Sequence, residues 1–374
     1  MQDDVFSPSF GNRPSSLVGR EPVLNQLVAG LSSKPGSRER SVVLLGQRGS
    51  GKTVLLWELA DRMRQNGCVV ANPTIVSESL LPRLIEKITE ALENLGAASA
   101  IEGSKRHVSG GTVGAFEFSA GVQFRQDAPE PKSHQQRLVE ICRALTAKGK
   151  GVLFLVDELQ ANSPELRQLV ITYQEMVGEG LNVAIVMAGL PGAVSATLND
   201  KVLTFLNRSA KMSLDPLAFG EVDAFFQRSF RQLGMEVSNA HRRKAAQFTE
   251  GSPYMLQLVG HNMFLYAGPE GAIDDDLLAN ALITSQTEFE NDVCQTTLAA
   301  LSDKDAEFLT ALAAIGGGAT MAEIAREMGV SPDYAQKYRK RLIDSGIIEA
   351  AGRGRVTFII PHLMDYLRRE MGLE

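Results

Sequence analysis

One segment of the sequence combines glycines, a lysine and a hydroxyl at the spacing that binds phosphate. Residues 46–53 read GQRGSGKT and fit the pattern GxxxxGK[ST]. They follow an apolar run, SVVLLG, and open a helical pattern, TVLLWELADRMRQ. In such a loop the backbone N–H groups point at phosphate oxygens, and the following helix adds the positive end of its dipole. The residues predicted to bind a nucleotide are Gly46, Gln47, Arg48, Gly49, Ser50, Gly51, Lys52 and Thr53.

The last two residues of this segment have separate predicted roles. Lys52 would pair with the phosphates and act in catalysis, and the Thr53 hydroxyl would ligate Mg²⁺. ATP and Mg²⁺ are therefore the expected cofactors. The alternative is a glycine-rich turn followed by Lys and Thr by chance, and the strand, loop and helix order argues against it.

A pair of carboxylates ends a second apolar run, GVLFLVDE. Asp157 is predicted to hold the Mg²⁺ shell, and Glu158 is predicted to orient and deprotonate the attacking water. Two acidic residues after a buried strand could also be solvated loop charges. Together with the phosphate-binding segment they predict hydrolysis of ATP to ADP and phosphate.

The elements around these residues predict a parallel α/β sheet followed by helices. Short apolar runs alternate with helical patterns over residues 1–216, whereas residues 217–298 have only amphipathic helical periodicity. Residues 97–133 interrupt the alternation and predict a loop and a β-hairpin. The predicted strands are residues 41–46, 68–71, 151–157 and 182–188.

The last part of the chain, residues 299–374, predicts a winged helix-turn-helix. Helical patterns at 303–315, 321–328 and 332–345 precede a glycine-containing hairpin at 347–360. Six basic and two acidic side chains fall within residues 335–360, which favours contact with double-stranded DNA. The alternatives are a solvated basic face and a regulatory or protein-contact module. The candidate DNA contacts are Gln336, Lys337, Arg339, Lys340 and Arg341 on the predicted recognition helix, with Arg353 and Arg355 in the wing.

The overall composition is that of a globular protein without a membrane segment. The chain has 374 residues with 38 Lys and Arg against 44 Asp and Glu, for a net charge of −6. This balance argues against a protein coated with DNA-binding charge but does not exclude a local basic patch. Because no apolar run approaches about 20 residues and the start has no leader pattern, we expect a cytoplasmic protein with no membrane partner. Three distant cysteines predict neither a disulfide framework nor a zinc site.

Taken together, these motifs resemble the AAA+ ATPases, particularly the initiator-like (origin-recognition) and STAND branches that carry a C-terminal winged helix. The resemblance implies a P-loop NTPase core with a parallel sheet over residues 1–216, a helical lid over 217–298 and a winged helix-turn-helix over 299–374. The motifs that carry it are LVGRE at 17–21, GQRGSGKT at 46–53, LFLVDELQ at 153–160, LNRS at 206–209 and GSPY at 251–254.

The resemblance also implies nucleotide contacts outside the phosphate-binding segment. In this family the VGRE box packs near the adenine, so Val18, Gly19 and Arg20 are candidate nucleotide-binding residues; a structural turn before a helix is the alternative. Pro253 and Tyr254 belong to an element that resembles the Gly-x-Pro of STAND proteins, whose backbone lies near the nucleotide.

Arg208 resembles the arginine that initiator-like ATPases extend into the γ-phosphate site of a neighbouring subunit. Such a residue stabilises charge on the transferred phosphoryl group and would imply a homo-oligomer. A surface salt bridge is the alternative for this residue.

Two departures from the family predict slow hydrolysis. The strand at 182–188 runs into Gly189, Leu190 and Pro191, without the polar sensor residue usual at that position. Tyr254 stands where initiators carry a sensing arginine. We therefore expect a slow nucleotide switch that controls DNA binding or self-assembly; the alternative is a STAND-like signalling or scaffold ATPase with a protein partner.

Overall fold

The computed structural model describes most of the chain. The predicted loop and hairpin at 97–133 lie almost entirely outside the described residues, as does Arg353. The described residues are 3–9, 13–14, 16–75, 79–94, 132–160, 163–198, 203–352 and 354–373.

A parallel five-stranded sheet forms the centre of the N-terminal part. Its strands are β1 (Ser41–Leu45), β2 (Val69–Ile75), β3 (Val152–Asp157), β4 (Val183–Gly189) and β5 (Ala210–Ser213), in the order β2-β3-β4-β1-β5. Every residue of β3 and β4 is buried, which explains why these strands read as continuous apolar runs. β2 continues beyond the predicted residue 71, through a register shift and the sequence NPTI, where no apolar run signals a strand.

Helices cover both faces of this sheet. Leu24, Leu55 and Leu59 pack on one face, and Leu84, Leu138 and Leu169 pack on the other. A 3₁₀ helix, Thr204–Arg208, leads into β5. The helices are α1 (Glu21–Leu31), α2 (Lys52–Gln65), α3 (Leu80–Asn94), α4 (His134–Ala147), α5 (Pro164–Gly178) and α6 (Pro191–Leu198).

A group of helices, which we call the helical unit, follows the sheet. A π-helix, Glu290–Gln295, interrupts its end. Val5 and Phe6 from the start of the chain are buried in this unit with its phenylalanines. The helices are α7 (Phe219–Gln232), α8 (Asn239–Phe248), α9 (Pro253–Ala267), α10 (Asp275–Phe289) and α11 (Thr296–Ala299).

The C-terminal module, which follows the helical unit, has the predicted order of three helices and a hairpin. In its three-stranded antiparallel sheet the last strand along the chain lies between the other two. Ala335 and Leu342 are buried, whereas Tyr338 and Ile343 are half-buried. The elements are α12 (Asp303–Ile315), β6 (Ala319–Thr320), α13 (Met321–Glu327), α14 (Pro332–Asp344), β7 (Ile348–Ala350), β8 (Arg355–Phe358) and α15 (Leu363–Glu370).

No helix in the described ranges is a candidate for a membrane span. None of them is both long enough and apolar enough to cross a bilayer.

Candidate nucleotide-binding site

The segment 46–53, which we call the phosphate loop, connects the carboxyl end of β1 to the first turn of α2. Gly46 N–H donates to Gly189 O at the end of β4 over 3.4 Å, so the loop starts at the carboxyl edge of the sheet. Gly49 and Gly51 have φ of +75° and +86°, a left-handed conformation that side chains rarely adopt. These glycines turn the backbone so that the amino end of α2 faces the loop, as anion binding requires.

Lys52 lies within the loop and bonds to its carbonyl groups. Its Nζ donates to Gly46 O over 2.8 Å and to Gln47 O over 2.7 Å. Burial lowers the pKa of this ammonium from 10.5 to about 8, although Asp157 and Glu158 favour its charged form. The charge is therefore held by loop carbonyls that phosphate oxygens could replace.

Thr53 and Asp157 meet beside the loop. The Thr53 hydroxyl donates to Asp157 Oδ2 over 2.5 Å, and Asp157 is only 4% exposed. A hydroxyl and a buried carboxylate beside a phosphate site fit Mg²⁺, which takes a few protein oxygens and completes its octahedron with water and phosphate. Within the described ranges no cluster of three His, Cys, Asp or Glu could hold a metal by protein side chains alone. The donor set thus suits a metal that arrives with a nucleotide.

Glu158, the predicted base, has an unusual backbone. Its φ is +53°, in the left-handed region, and its N–H donates to Asp157 Oδ1 over 2.9 Å. A non-glycine residue in this region carries a conformational cost, and such strain is concentrated at functional sites. The side chain of Glu158 is exposed next to the buried Asp157.

Two buried polar atoms near the loop have no hydrogen-bond partner within the described chain. They are Ser50 Oγ and Arg20 Nε, and the Arg20 guanidinium also approaches Ser50 O at 3.4 Å. Burial lowers the pKa of Arg20, against the charges of Glu221 and Asp215. Since buried polar groups are normally paired, these atoms fit a polar ligand at the loop.

The predicted adenine-side residues lie against the start of the helical unit. A Cβ at Gly19 would lie 2.5 Å from Glu221 Oε2 and 2.9 Å from the Leu217 side chain, and Gly19 has φ of +63°. Val18 is half-buried beside it, and Arg20 is buried. The VGRE box therefore joins the core to the first helix of the helical unit.

Pro253 and Tyr254, at the amino end of α9, cover the phosphate loop. A Cβ at Gly49 would lie 2.9 Å from Tyr254 Cβ, and one at Gly51 would lie 3.9 Å from Pro253. The Tyr254 hydroxyl donates to Asp292 Oδ2 over 2.5 Å, and burial together with this bond raises the pKa of Tyr254. Asp292 lies in the π-helix, an element that often marks functional sites.

The C-terminal module also touches the phosphate loop, a contact that no pattern in the sequence signals. A Cβ at Gly346 would lie 2.2 Å from Gln47 Nε2 and 2.6 Å from Pro191, and one at Gly192 would lie 3.0 Å from the Ser345 backbone. The carboxyl end of α14 is thus docked on α6 and on the loop. In the sequence Gly346 reads only as the glycine that ends a helix, because φ of +73° is common there.

Arg208 lies at the opposite end of the sheet from its own phosphate loop. Ala210 pairs with Val42 near the start of β1, and Ser209 Oγ lies 2.7 Å from Ser41 Oγ. Arg208 is exposed. Since β1 ends at the loop, Arg208 is separated from the phosphate site of its own chain by the length of that strand.

The predicted DNA-contact residues divide into exposed and internally bonded groups. Gln336, Lys337 and Lys340 are exposed on α14. Arg341, also exposed, is bound by the buried carboxylate of Asp305, with Nε 2.7 Å from Oδ1.

Two further arginines from this prediction have restricted side chains. Arg355 Nη1 donates to Gly318 O over 2.5 Å, and Arg339 is half-buried with no hydrogen-bond partner for its Nε among the described residues. Lys337 lies 5.9 Å from the ring centre of the exposed Tyr334. The sequence pattern did not separate these groups because all of them are polar positions on one helix or hairpin.

Comparisons with known proteins agree with this architecture. Residues 16–186 match a family described as AAA ATPase domain, and residues 291–367 match one described as a domain of unknown function. The Walker-type ATPase paby2304 of Pyrococcus abyssi is 16% identical with a TM-score of 0.66, covering 95% of this chain and 97% of its own. The Aeropyrum pernix ORC2 protein, solved as ADPNP-ADP complexes, is 14% identical with a TM-score of 0.59, covering 98% of each chain. A comparison with curated proteins found no match.

Proposed function

We propose that this chain is a slowly hydrolysing, ATP-dependent switch of the AAA+ P-loop type that controls DNA binding, because residues 16–186 match an AAA ATPase domain and the fold is similar to that of the Aeropyrum pernix ORC2 protein. The observation that carries the proposal is that one phosphate loop contacts two other parts of the chain. Tyr254 of the helical unit packs on Gly49, and Gly346 of the C-terminal module packs on Gln47. The proposed division is an ATPase core of residues 1–216, a lid of 217–298 and a winged helix-turn-helix of 299–374.

The proposed site binds ATP with Mg²⁺. Lys52 would exchange its loop carbonyls for phosphate oxygens, and Thr53 and Asp157 would hold Mg²⁺, which would supply positive charge beside the transferred phosphoryl group. Glu158 orients and deprotonates water. The ADPNP and ADP bound by the Aeropyrum protein support a nucleotide at the corresponding loop of this chain.

Two features support slow hydrolysis. The carboxyl end of β4 carries Gly189, Leu190 and Pro191, so no polar side chain reaches from it toward a γ-phosphate. Arg208 lies too far from its own site to complete it and would act on a neighbouring copy. Full activity would then depend on self-assembly.

The proposed DNA surface is the exposed side of α14. Gln336, Lys337 and Lys340 are exposed there, and a recognition helix of this kind enters the major groove. The docked carboxyl end of α14 restricts the orientation of this surface relative to the core. Nucleotide at the loop would change the position of Gln47 and so alter that docking.

The same docking supports a second candidate, a STAND-like signalling or scaffold ATPase. In that case the C-terminal module regulates the core or contacts a protein, and the contact between Gly346 and Gln47 holds the resting state. Internal bonds of Arg341 and Arg355 favour this candidate, because they reduce the number of free cations available for phosphate.

A duplex titration separates the two candidates. Wild-type protein is titrated with a fluorescent duplex at several salt concentrations, with and without ATP. If the protein is a DNA switch, binding should weaken steeply with salt and should change with ATP. Binding should be lost in the double variant Lys337→Gln/Lys340→Gln. It should persist in Lys34→Gln, the control, because Lys34 is an exposed lysine of the core. Salt-independent binding, or none, favours the signalling candidate; failure of Lys52→Ala to abolish ATP binding contradicts the site itself.

A further inference from the structure

The start of the chain is bound to the helical unit by specific hydrogen bonds. Asp3 accepts the N–H groups of Val5 and Phe6 at 3.1 and 2.8 Å, and its other oxygen lies 2.7 Å from His261 Nδ1. Further along, Ser7 N–H donates over 2.8 Å to the side chain of the buried Gln257 on the same helix, α9. The segment is therefore held in one register.

Phe6 fills a notch in this unit. Its ring centre lies 5.9, 6.1 and 5.8 Å from those of Phe225, Phe226 and Phe230, and Phe6 is only 4% exposed. A Cβ at Gly260 would lie 2.1 Å from the Phe6 ring, so the notch exists because residue 260 has no side chain. This fit anchors one end of the segment.

A few residues later the same segment is bound to the ATPase core. Arg13 pairs with Glu58 at 2.6 Å and with Asp61 at 2.5 Å, both on α2, the helix that begins at the phosphate loop. The next buried anchor along the chain is Arg20, beside Ser50 of the loop. The segment thus touches the helical unit first and the core second.

The chain length between these anchors sets a limit on opening. An extended chain from Ser7 to Arg13 spans at most about 20 Å, whereas one from Ser7 to Arg20 spans about 45 Å. With Arg13 bound to α2, the part of α9 that bonds Ser7 stays within about 20 Å of Arg13 unless Phe6 leaves its notch. Without Arg13 bound, the chain to Arg20 allows a separation of about 45 Å and restricts the motion much less.

We propose that the two anchored parts of this segment, residues 3–7 and Arg13, act together as a strap that ties the helical unit to the ATPase core and limits opening of the crevice over the phosphate loop. The consequence for nucleotide, which rests on the proposed function, is slow release. The strap holds α9, and with it Tyr254, close to Gly49. Exposed ion pairs are individually weak, so the core end is the one that opens.

The primary test measures the core-to-lid distance without nucleotide. Spin labels are attached at Lys34→Cys on the core and Gln247→Cys on α8, both exposed, while Cys68, Cys142 and Cys294 are buried. Arg13→Gln should lengthen and broaden the distance distribution. Arg62→Gln is the matched control, since Arg62 also pairs with Glu58 but belongs to the core alone.

A second variant releases the other end of the strap. Gly260→Ala should expel Phe6 while favouring the helix itself, because Ala is a better helix former than Gly. It should give the same broadening as Arg13→Gln. Release of a fluorescent ADP should be about twofold to thirtyfold faster in Arg13→Gln, as expected for loss of two weak ion pairs. It should also be faster in Gly260→Ala and unchanged in Arg62→Gln.

The outcomes are distinguishable. Distributions in Arg13→Gln and Gly260→Ala that equal that of the control overturn the strap. Faster ADP release without a longer distance overturns it as well, because Arg13 would then act on the site and not on opening. A longer distance in a protein that binds no nucleotide supports the strap and overturns the proposed function.

Discussion

The lowered pKa of Lys52 predicts that nucleotide affinity falls above pH 8. Without nucleotide the pKa is about 8, because burial opposes the charged form. Bound phosphates require the ammonium and would raise its pKa. Above pH 8 the protein must therefore take up a proton to bind, and each further pH unit should weaken binding about tenfold, or about 1.4 kcal/mol.

The assay is a titration with fluorescent ADP from pH 6.5 to 9.5. Calorimetry in two buffers of different ionisation enthalpy measures the protons taken up on binding. Affinity should be flat below about pH 7.5 and should fall about tenfold between about pH 8.5 and 9.5, with proton uptake in the calorimeter. Lys52→Arg is the control, since a guanidinium stays charged over this range and any remaining binding should not change with pH.

The titration of Lys52 does not itself destabilise the fold at high pH, as the sign of its linkage shows. The folded pKa of Lys52 lies below its ordinary value of 10.5, so between about pH 8 and 10.5 the unfolded state binds more protons. The contribution of Lys52 to stability therefore rises with pH in that window, opposite to the predicted change in affinity. An affinity that stays constant from pH 7 to 9.5 would refute the reasoning.

Three further predictions concern single residues. Glu158→Gly should abolish ATP hydrolysis. It should also raise the free energy of unfolding, measured by urea denaturation, by about 1 kcal/mol, because glycine relieves the left-handed backbone strain. Glu158→Ala should lose hydrolysis without this gain in stability. Gly346→Ala should separate α14 from Gln47 and change duplex affinity more than Gly329→Ala, which has a similar positive φ but no atom within 4 Å of the added carbon. Equal effects would contradict the docking role. Activity per molecule of the wild-type protein should rise with protein concentration as copies assemble. Arg208→Ala should lower hydrolysis only in that concentration range, measured by phosphate release across a dilution series.

Local patterns were enough to predict the main elements of the fold. The strands β3 and β4 are apolar runs of strand length, and the phosphate loop is a continuous segment between β1 and α2. Its geometry depends on glycines within the segment itself, at φ values that glycine adopts freely. The order of elements in the C-terminal module was predicted for the same reason, since its helix starts and turns are signalled by neighbouring residues.

Contacts between distant parts of the chain needed the tertiary structure. Arg341 reads as a surface cation, yet folding places it on the buried Asp305 of α12. In the sequence, Gly260 is only a residue of low helix propensity. In the fold, its missing side chain leaves the space that the Phe6 ring occupies.

The sequence by itself therefore determined the type of site and the order of the units, and only the tertiary structure decided what touches that site. Tyr254 on Gly49 and Gly346 on Gln47 join segments that are far apart in the chain. Periodicity and spacing report the conformation of neighbouring residues, because backbone dihedrals and helix or strand faces are local properties. Pairings between distant segments depend on how whole faces pack, and they leave no local pattern to read.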